Sequence, residues 1–412
     1  MAVLTILAGL SFIIFFGFLA EFIFKKTGLP DVLFLIAVGI FAGPVFHLLD
    51  PGPLEPFAPV FTAFALLFLL FEGAFNLELR SFARGLGKTF AVTLSNFCLS
   101  VIAVTAVLLL FRLPPLVSLL GGFILGGISS AYVVPVLKRI PVKGETASII
   151  TLEAAMTDVL CIVTALAAVE LITLQTFDAG AILTHMASLF LVAGVIGVIA
   201  GLLWIVLVLR IFREQKSYMV TIAYVTMVYV VTEFLNGNGA IATLFLGLML
   251  KNSWEITSFA KSLVQGGTQP SYGVAVTTPS EEFFYGELSF LLKTFFFIFV
   301  GLLVDFSDLR ALLVSLFIAL ALFGTRLLSG IVVYHLPVFD RRIVQAIFAR
   351  GLAAAAIAQI LIIREVPFAM LLVRVVYGVI VMSIAMSSVA VFLVQRRWKP
   401  ETSVSPPIPA GG

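Results

Sequence analysis

Two carboxylates, Glu153 and Asp158, lie in the first half of a largely apolar segment that runs from Ala147 to Leu174. Such a segment is long enough to cross the ~30 Å hydrocarbon core of a bilayer as a helix. Insertion scales put the cost of a charged side chain at the bilayer centre at roughly 2.5–3.5 kcal/mol, so intramembrane acids usually mark ion or proton pathways. We therefore expect Asp158 to be a site that binds and releases a cation or a proton.

Helical geometry separates the two acids. Glu153 and Thr157 are four residues apart and share a helix face, whereas Glu153 and Asp158 are about 140° apart around an ideal helix. The two acids therefore do not ligate one ion unless the helix unwinds. Two intramembrane arginines, Arg326 and Arg350, need partners, and we predict a structural ion pair of Glu153 with Arg350 or with Arg326. Asp158 then has no obvious cationic partner, which suits exchange of a cation for a proton.

Composition places these residues in a polytopic membrane protein. Of the 412 residues, 61% are apolar and only 11% are charged, whereas a soluble domain carries about 25% charged residues. Leu4–Phe24 is predicted to be a first spanning helix, because no basic region or small-residue cleavage site precedes or follows it. The net charge of +3 gives no reason to expect nucleic acid as a partner. Cys98 and Cys161 both lie in apolar stretches, so we expect no disulfide framework, metal cluster or cofactor.

Hydropathy predicts an all-α protein with about thirteen transmembrane spans in one domain over residues 1–400. The ninth span is short and either ends at Leu250 or extends into the polar stretch after Lys251. The segment Asn252–Glu282 is predicted to be a cytoplasmic loop. Glu401–Gly412 is predicted to be a disordered cytoplasmic tail. The predicted spans are Leu4–Phe24, Asp31–Leu49, Phe57–Leu77, Leu86–Phe111, Leu116–Leu137, Ala147–Leu174, Ala181–Leu209, Tyr218–Leu235, Gly239–Leu250, Glu287–Val304, Leu309–Leu336, Ile343–Ile363 and Phe368–Val394.

The distribution of basic residues supports this number of spans. With the N-terminus outside and the spans alternating, eighteen of the 25 Lys and Arg residues fall at inside ends and three at outside ends. This bias agrees with the positive-inside rule and indicates an outside N-terminus and a cytoplasmic C-terminus. An odd number of spans also suits two inverted six-helix repeats joined by the seventh helix, a common plan for transporters.

Spans five and twelve are candidates for broken helices. Span five contains four glycines between Gly121 and Gly127, followed by Pro135, and these residues weaken a helix. Its serines Ser129 and Ser130 offer oxygen ligands. A close-packed face of small residues is the alternative interpretation. If two six-helix repeats are joined by the seventh helix, span twelve is the counterpart of span five. Span twelve carries Arg350 near its middle.

Two further charged residues lie within predicted spans. Glu72, near the inner end of span three, is either a snorkelling or gating residue or a second carboxylate on the route of the ion. Lys293, in span ten, is expected to snorkel or to pair locally.

Several stretches together resemble the NhaP-like sodium/proton antiporters. These stretches are spread over nearly the whole chain, and their order and spacing are consistent with that family. They are the third-span run FEGAFNLELR at Phe71–Arg80, the run from Gly127 to Arg139, the pair Glu153 and Asp158, the run FFFIFVGLLVD at Phe295–Asp305, and Arg350-Gly351.

The resemblance implies a homodimer in which a six-helix core, spans four to six and eleven to thirteen, moves against an interface domain of spans one to three and seven to ten. It also implies that Asp158 carries Na⁺ or the proton. Ser129, Glu72 and the backbone of span six would be further ligands, and Glu153 and Arg350 would form a structural pair.

Two departures bear on ion selectivity. Thr157 replaces the usual Asn beside the carrier acid, and Ser129-Ser130-Ala131 replaces Thr-Asp-Pro in the broken fifth span.

The leading hypothesis is a secondary antiporter in the plasma or inner membrane that exchanges Na⁺ or Li⁺ for H⁺, with one cation for one proton. K⁺/H⁺ antiport and proton-coupled transport of a small organic solute are the alternatives. An ion channel is disfavoured because pore loops and charged rings are absent from the sequence pattern. A membrane enzyme is disfavoured because the chain shows no serine–histidine pairing and no zinc or di-acid motif.

Overall fold

The structure, a computed structural model, describes residues 2–27, 30–49, 58–75, 79–137, 140–174, 179–210, 218–235, 237–264, 277, 279–334 and 336–397. Within these residues the chain is helical, with no β-strand. Six helices are long and apolar enough to cross a membrane, and six shorter helical segments are also apolar. The predicted all-α, polytopic membrane fold is confirmed. The predicted tail Glu401–Gly412 lies outside the described residues.

Each of the thirteen predicted spans contains at least one helix. Spans five and twelve each contain two, and one additional helix follows span nine. In chain order the helices are α1 Ala2–Thr27, α2 Asp31–Ile40, α3 Ala58–Phe75, α4 Leu79–Leu110, α5 Pro115–Ile124, α6 Ser130–Leu137, α7 Gly144–Leu174, α8 Ala179–Arg210, α9 Tyr218–Phe234, α10 Gly239–Lys251, α11 Ser253–Val264, α12 Pro279–Leu302, α13 Leu309–Val332, α14 Val338–Ala346, α15 Leu352–Ile363 and α16 Ala369–Arg397, with a π-helical turn over Phe41–Val45 after α2.

The two interrupted spans cross at their breaks. The non-helical segment 125–129 separates α5 from α6, and the non-helical segment 347–351 separates α14 from α15. The Ser129 backbone N–H donates to the Ala349 carbonyl at 2.9 Å, which joins the two breaks. A side chain on Gly351 would collide with the Ser129 hydroxyl. Glycine is therefore required at this contact, and the prediction of broken crossing helices is confirmed.

Serines of α16 hold the second break in place. The Arg350 backbone N–H donates to Ser383 Oγ at 3.0 Å, and Ser387 Oγ donates to the Ala346 carbonyl at 2.8 Å. These bonds satisfy backbone groups that lose their helical partners at the break, which is the condition for irregular backbone at membrane depth. The crossing is thus supported by a neighbouring helix as well as by its own residues.

The predicted loop Asn252–Glu282 is helical in part, so that prediction is wrong for its two ends. Helix α11 begins at Ser253, directly after α10, and α12 begins at Pro279 rather than at Glu287. Tyr285, near the start of α12, is buried in a hydrophobic cluster, and Ile256 of α11 packs against the same cluster. Tertiary packing of these apolar residues therefore extends helices into a stretch whose composition is polar.

Helix α7, which carries Glu153 and Asp158, is unbroken. It packs against α4, α5, α6 and α15, and thus against both interrupted spans. Because the helix does not unwind, the two acids face different neighbours. Helix α12 packs against α1, α2 and α3.

Candidate functional site

The Asp158 carboxylate faces a cavity of about 230 Å³ between α3, α6, α7, α12 and α15. Its Oδ2 accepts a hydrogen bond of 2.5 Å from the Ser130 hydroxyl and one of 3.3 Å from the Ser130 backbone N–H. No basic side chain of the described residues forms an ion pair with it. Asp158 is thus a cavity-facing acid whose described hydrogen-bond partners come from one serine.

The break in span five explains why Ser130 reaches Asp158. Ser130 is the first residue of α6, so its N–H has no partner within the helix. A helix N-terminus favours a negative charge, because its free N–H groups and the helix dipole point toward it. The broken helix therefore offers the carboxylate two donors, and a bound cation or a proton would compete with them for the same oxygen.

Glu72 lines the same cavity as Asp158 and Ser130, so the structure brings together three of the predicted site residues. Ser289 and Lys293 of α12 also line it. Ser289 is a neutral oxygen donor that sequence reasoning missed. The cavity therefore combines two carboxylates, two hydroxyls and one ammonium group.

Two other predicted ligands, Thr157 and Ser129, do not line the cavity. The Thr157 hydroxyl accepts a hydrogen bond from the Ile128 N–H at 3.1 Å and lies 3.2 Å from the Ala154 carbonyl, to which it donates. Ser129 is buried against Gly351 at the crossing of the two breaks. Both residues instead make contacts that hold the break in span five.

Glu153 forms a buried, bidentate ion pair with Arg326. The second contact, from Arg326 Nη2 to Glu153 Oε2, measures 3.0 Å, and Asn96 Nδ2 also donates to Glu153 at 3.0 Å. Arg326 in turn donates from Nε to the Val344 carbonyl at 2.8 Å. Of the two partners left open by the sequence, the structure therefore has Arg326. The pairing of Glu153 with Arg350, which the family resemblance implied, is not formed.

Arg350 instead neutralises the C-terminal end of the half-helix α5. Its Nη1 donates to the carbonyls of Gly126 and Gly127, and its Nη2 donates to Ser100 Oγ at 3.1 Å. The carbonyls after a helix C-terminus carry partial negative charge, which a cation stabilises. The break in span five places free carbonyl groups next to Arg350. The guanidinium group binds these carbonyls and Ser100 instead of Glu153.

A protein-family model matches nearly the whole chain. The family model described as "Sodium/hydrogen exchanger, transmembrane" matches residues 11–396. The chain belongs to the sodium/hydrogen exchanger family. It is a multi-pass cation/proton antiporter.

Two solved structures share the fold of this exchanger. Both are of the sodium proton antiporter MjNhaP1 from Methanocaldococcus jannaschii. The structure at pH 8 has a TM-score of 0.73 at 20% identity and covers 95% of this chain and 96% of its own. The electron-microscopy structure has a TM-score of 0.70 at 19% identity and covers 97% of this chain and all of its own.

The exchanger has one buried ion pair at its cavity that sequence reasoning missed. Lys293 Nζ lies 2.5 Å from Asp31 Oδ2, so Lys293 pairs with the first residue of α2 rather than locally or with lipid headgroups. Asp31 is buried despite its position at a helix start. The available signal was an acid and a lysine within two predicted spans, but their separation of 262 residues hid the pairing.

Proposed function

We propose that this exchanger carries one Na⁺ or Li⁺ in one direction for one H⁺ in the other, with Asp158 as the shared site. The observation that carries the proposal is the Asp158 carboxylate, which faces the cavity without an ion-pair partner among the described residues while Glu153 is paired with Arg326. A buried charge without a partner is unfavourable, so the carboxylate holds either a proton or a cation.

Competition at Asp158 couples the two ions. Desolvation disfavours the charged carboxylate and favours its protonated form, whereas a bound cation favours the charged form and displaces the proton. By reciprocity, a proton weakens cation binding by the same factor. Alternating access of the cavity to the two sides then turns this competition into exchange.

The size of the cavity favours an ion over an organic solute. Pockets for drug-sized ligands measure roughly 300–1,000 Å³, whereas this cavity measures about 230 Å³. Ser130, Ser289 and Glu72 supply further oxygens, the atoms that small hard cations prefer. Na⁺ and Li⁺ are therefore the leading substrates, and K⁺ is the alternative.

The number of mobile charges suggests electroneutral exchange. Thr157 stands beside Asp158 and cannot release a proton at physiological pH, and Glu153 is neutralised by Arg326. With one carboxylate that alternates between a cation and a proton, the cation-bound site and the protonated site are both neutral. The membrane potential then drives neither step.

The proposed assembly is a homodimer in the plasma or inner membrane, with the N-terminus outside and the C-terminus in the cytoplasm. In this arrangement α4–α7 and α13–α16 form the moving core, and α1–α3 with α8–α12 form the interface domain. The positive-inside bias of the sequence supports the orientation.

Exchange in proteoliposomes tests the proposal. Purified protein is reconstituted with a pH-sensitive dye inside, and Na⁺, Li⁺ or K⁺ is added outside. We expect Na⁺ or Li⁺ to move protons in the wild type, and we expect Asp158→Asn to fold but lose exchange. Asp308→Asn, which changes an acid outside the cavity, is the matched control and should exchange normally. Wild-type flux in a folded Asp158→Asn protein would reject Asp158 as the carrier.

A second measurement tests the stoichiometry. The potential is clamped with potassium and valinomycin while Na⁺ serves as the substrate. One-for-one exchange predicts a rate that does not change with the imposed potential. A rate that rises or falls strongly with it would point to Glu72 as an additional proton carrier.

A further inference from the structure

Helix α12 brings a positive charge to the wall of the ion cavity. Lys293 lines the cavity together with Asp158 and Glu72. The Lys293 side chain is 14% exposed, whereas the side chain of its partner Asp31 is 4% exposed. Asp31 does not line the cavity. The ion pair therefore presents its positive end to the transported cation.

The position of the ammonium group is fixed by more than one contact. The distance from Lys293 Nζ to Asp31 Oδ2 is 2.5 Å, and Nζ lies 5.1 Å from the centre of the Phe290 ring, close enough for a cation–π interaction. A lysine so constrained does not snorkel to the membrane surface.

The charges on the cavity wall suggest what this lysine does. Two carboxylates facing one small cavity form a site that suits a divalent cation. The ammonium lowers the net formal charge of the lining side chains to that of one carboxylate, which matches a monovalent cation. Specificity often depends on such a repulsive element as well as on attractive contacts.

We propose that Lys293 is a specificity-determining residue that excludes divalent cations from the cavity and weakens monovalent binding enough for release, and that Asp31 is its positioning residue. This inference rests on the proposed function of the cavity as the cation site. It adds a third charged residue to the two carboxylates.

Removal of the whole ion pair is the informative perturbation. Lys293→Gln alone leaves Asp31 buried without its partner, which destabilises the protein whatever the role of Lys293. The double variant Asp31→Asn/Lys293→Gln removes both charges and retains hydrogen-bonding side chains of similar size. Lys293→Arg keeps the positive charge and is the conservative control.

The proposal predicts a change in cation affinity. In the double variant we expect the apparent KM for Na⁺ to fall roughly threefold, about 0.7 kcal/mol, with a lower maximal rate because release is slower. The change is smaller than that for one unit charge, because the double variant loses both the repulsion from Lys293 and the opposing attraction from Asp31, which lies 2.5 Å from it. Ca²⁺ should inhibit Na⁺ exchange in the double variant but not in the wild type or in Lys293→Arg.

Thermal unfolding in detergent with added CaCl₂ provides a readout that does not depend on transport. Ca²⁺ should raise the melting temperature of the double variant only, because ligands that bind the native state stabilise it. A double variant with wild-type KM and no response to Ca²⁺ would overturn the inference and leave the ion pair a purely structural contact. A wild-type protein that exchanges no monovalent cation would reject the proposed function instead, and the Ca²⁺ response would still report on the charge of the cavity.

Discussion

The buried contact between Glu153 and Arg326 leads to a quantitative prediction about stability. Both side chains are almost fully buried, with 1% and 4% exposure, and the pair is bidentate. Arg326→Met removes the cation but leaves Glu153 with Asn96 as its described hydrogen-bond partner. Glu153→Gln removes the anion and leaves the arginine buried. Each single variant therefore leaves one buried charge without its counter-ion.

The magnitude follows from the loss of that counter-ion. Breaking a buried pair by removal of one partner costs about 3–5 kcal/mol. The double variant contains no unpaired charge at this place, so it should lose less than the sum of the two single losses. We expect a coupling energy of about 2 kcal/mol or more, within the range measured for residues in one network. The corresponding cycle of Glu153 with Arg350 should be additive within about 0.5 kcal/mol. Arg350 donates its hydrogen bonds to backbone carbonyls of the break in span five and to Ser100, not to Glu153.

Equilibrium unfolding in mixed micelles, titrated with SDS and followed by intrinsic fluorescence, measures these free energies. Arg374→Gln is the matched control, because Arg374 also pairs with acids but is 41% exposed. Its loss should be too small to resolve, since exposed pairs contribute little. An additive Glu153/Arg326 cycle, or a larger coupling with Arg350, would refute the assignment of the pair.

Three further predictions concern the crossing helices and the N-terminal end of α13. Gly351→Ala should lower both exchange and melting temperature, because its methyl group meets the other break, whereas Gly324→Ala has open space and should behave as wild type. Thr157→Val should cost about 1–3 kcal/mol of unfolding free energy, since the buried Ile128 N–H loses its acceptor, and Thr157→Ser should restore it. A hydrogen bond from a backbone N–H in the first turn of α13 holds the pKa of Asp308 below its usual range. Its contribution to stability should therefore be present above about pH 4 and be lost as the pH falls through the lowered pKa, and melting curves of wild type and Asp308→Asn should differ in that acid dependence.

The outline of the fold was available from the sequence, because its signals are local. Hydropathy identified each span, since a helix in lipid must satisfy its own backbone groups over a fixed length. The glycines between Gly121 and Gly127 predicted the break in span five, because each lowers helix propensity where it stands. The cost of an acid in lipid selected Asp158, and its role as the ion carrier stays a prediction.

Partner choice among buried charges was decided by the tertiary structure. The sequence offered Arg326 and Arg350 as possible partners of Glu153, and neither spacing nor periodicity could decide which arginine forms the ion pair. Packing put Arg326 beside Glu153, while the break in span five put free carbonyls beside Arg350. The same holds for Lys293 and Asp31, because a contact between helices so far apart in the chain depends on how those helices pack.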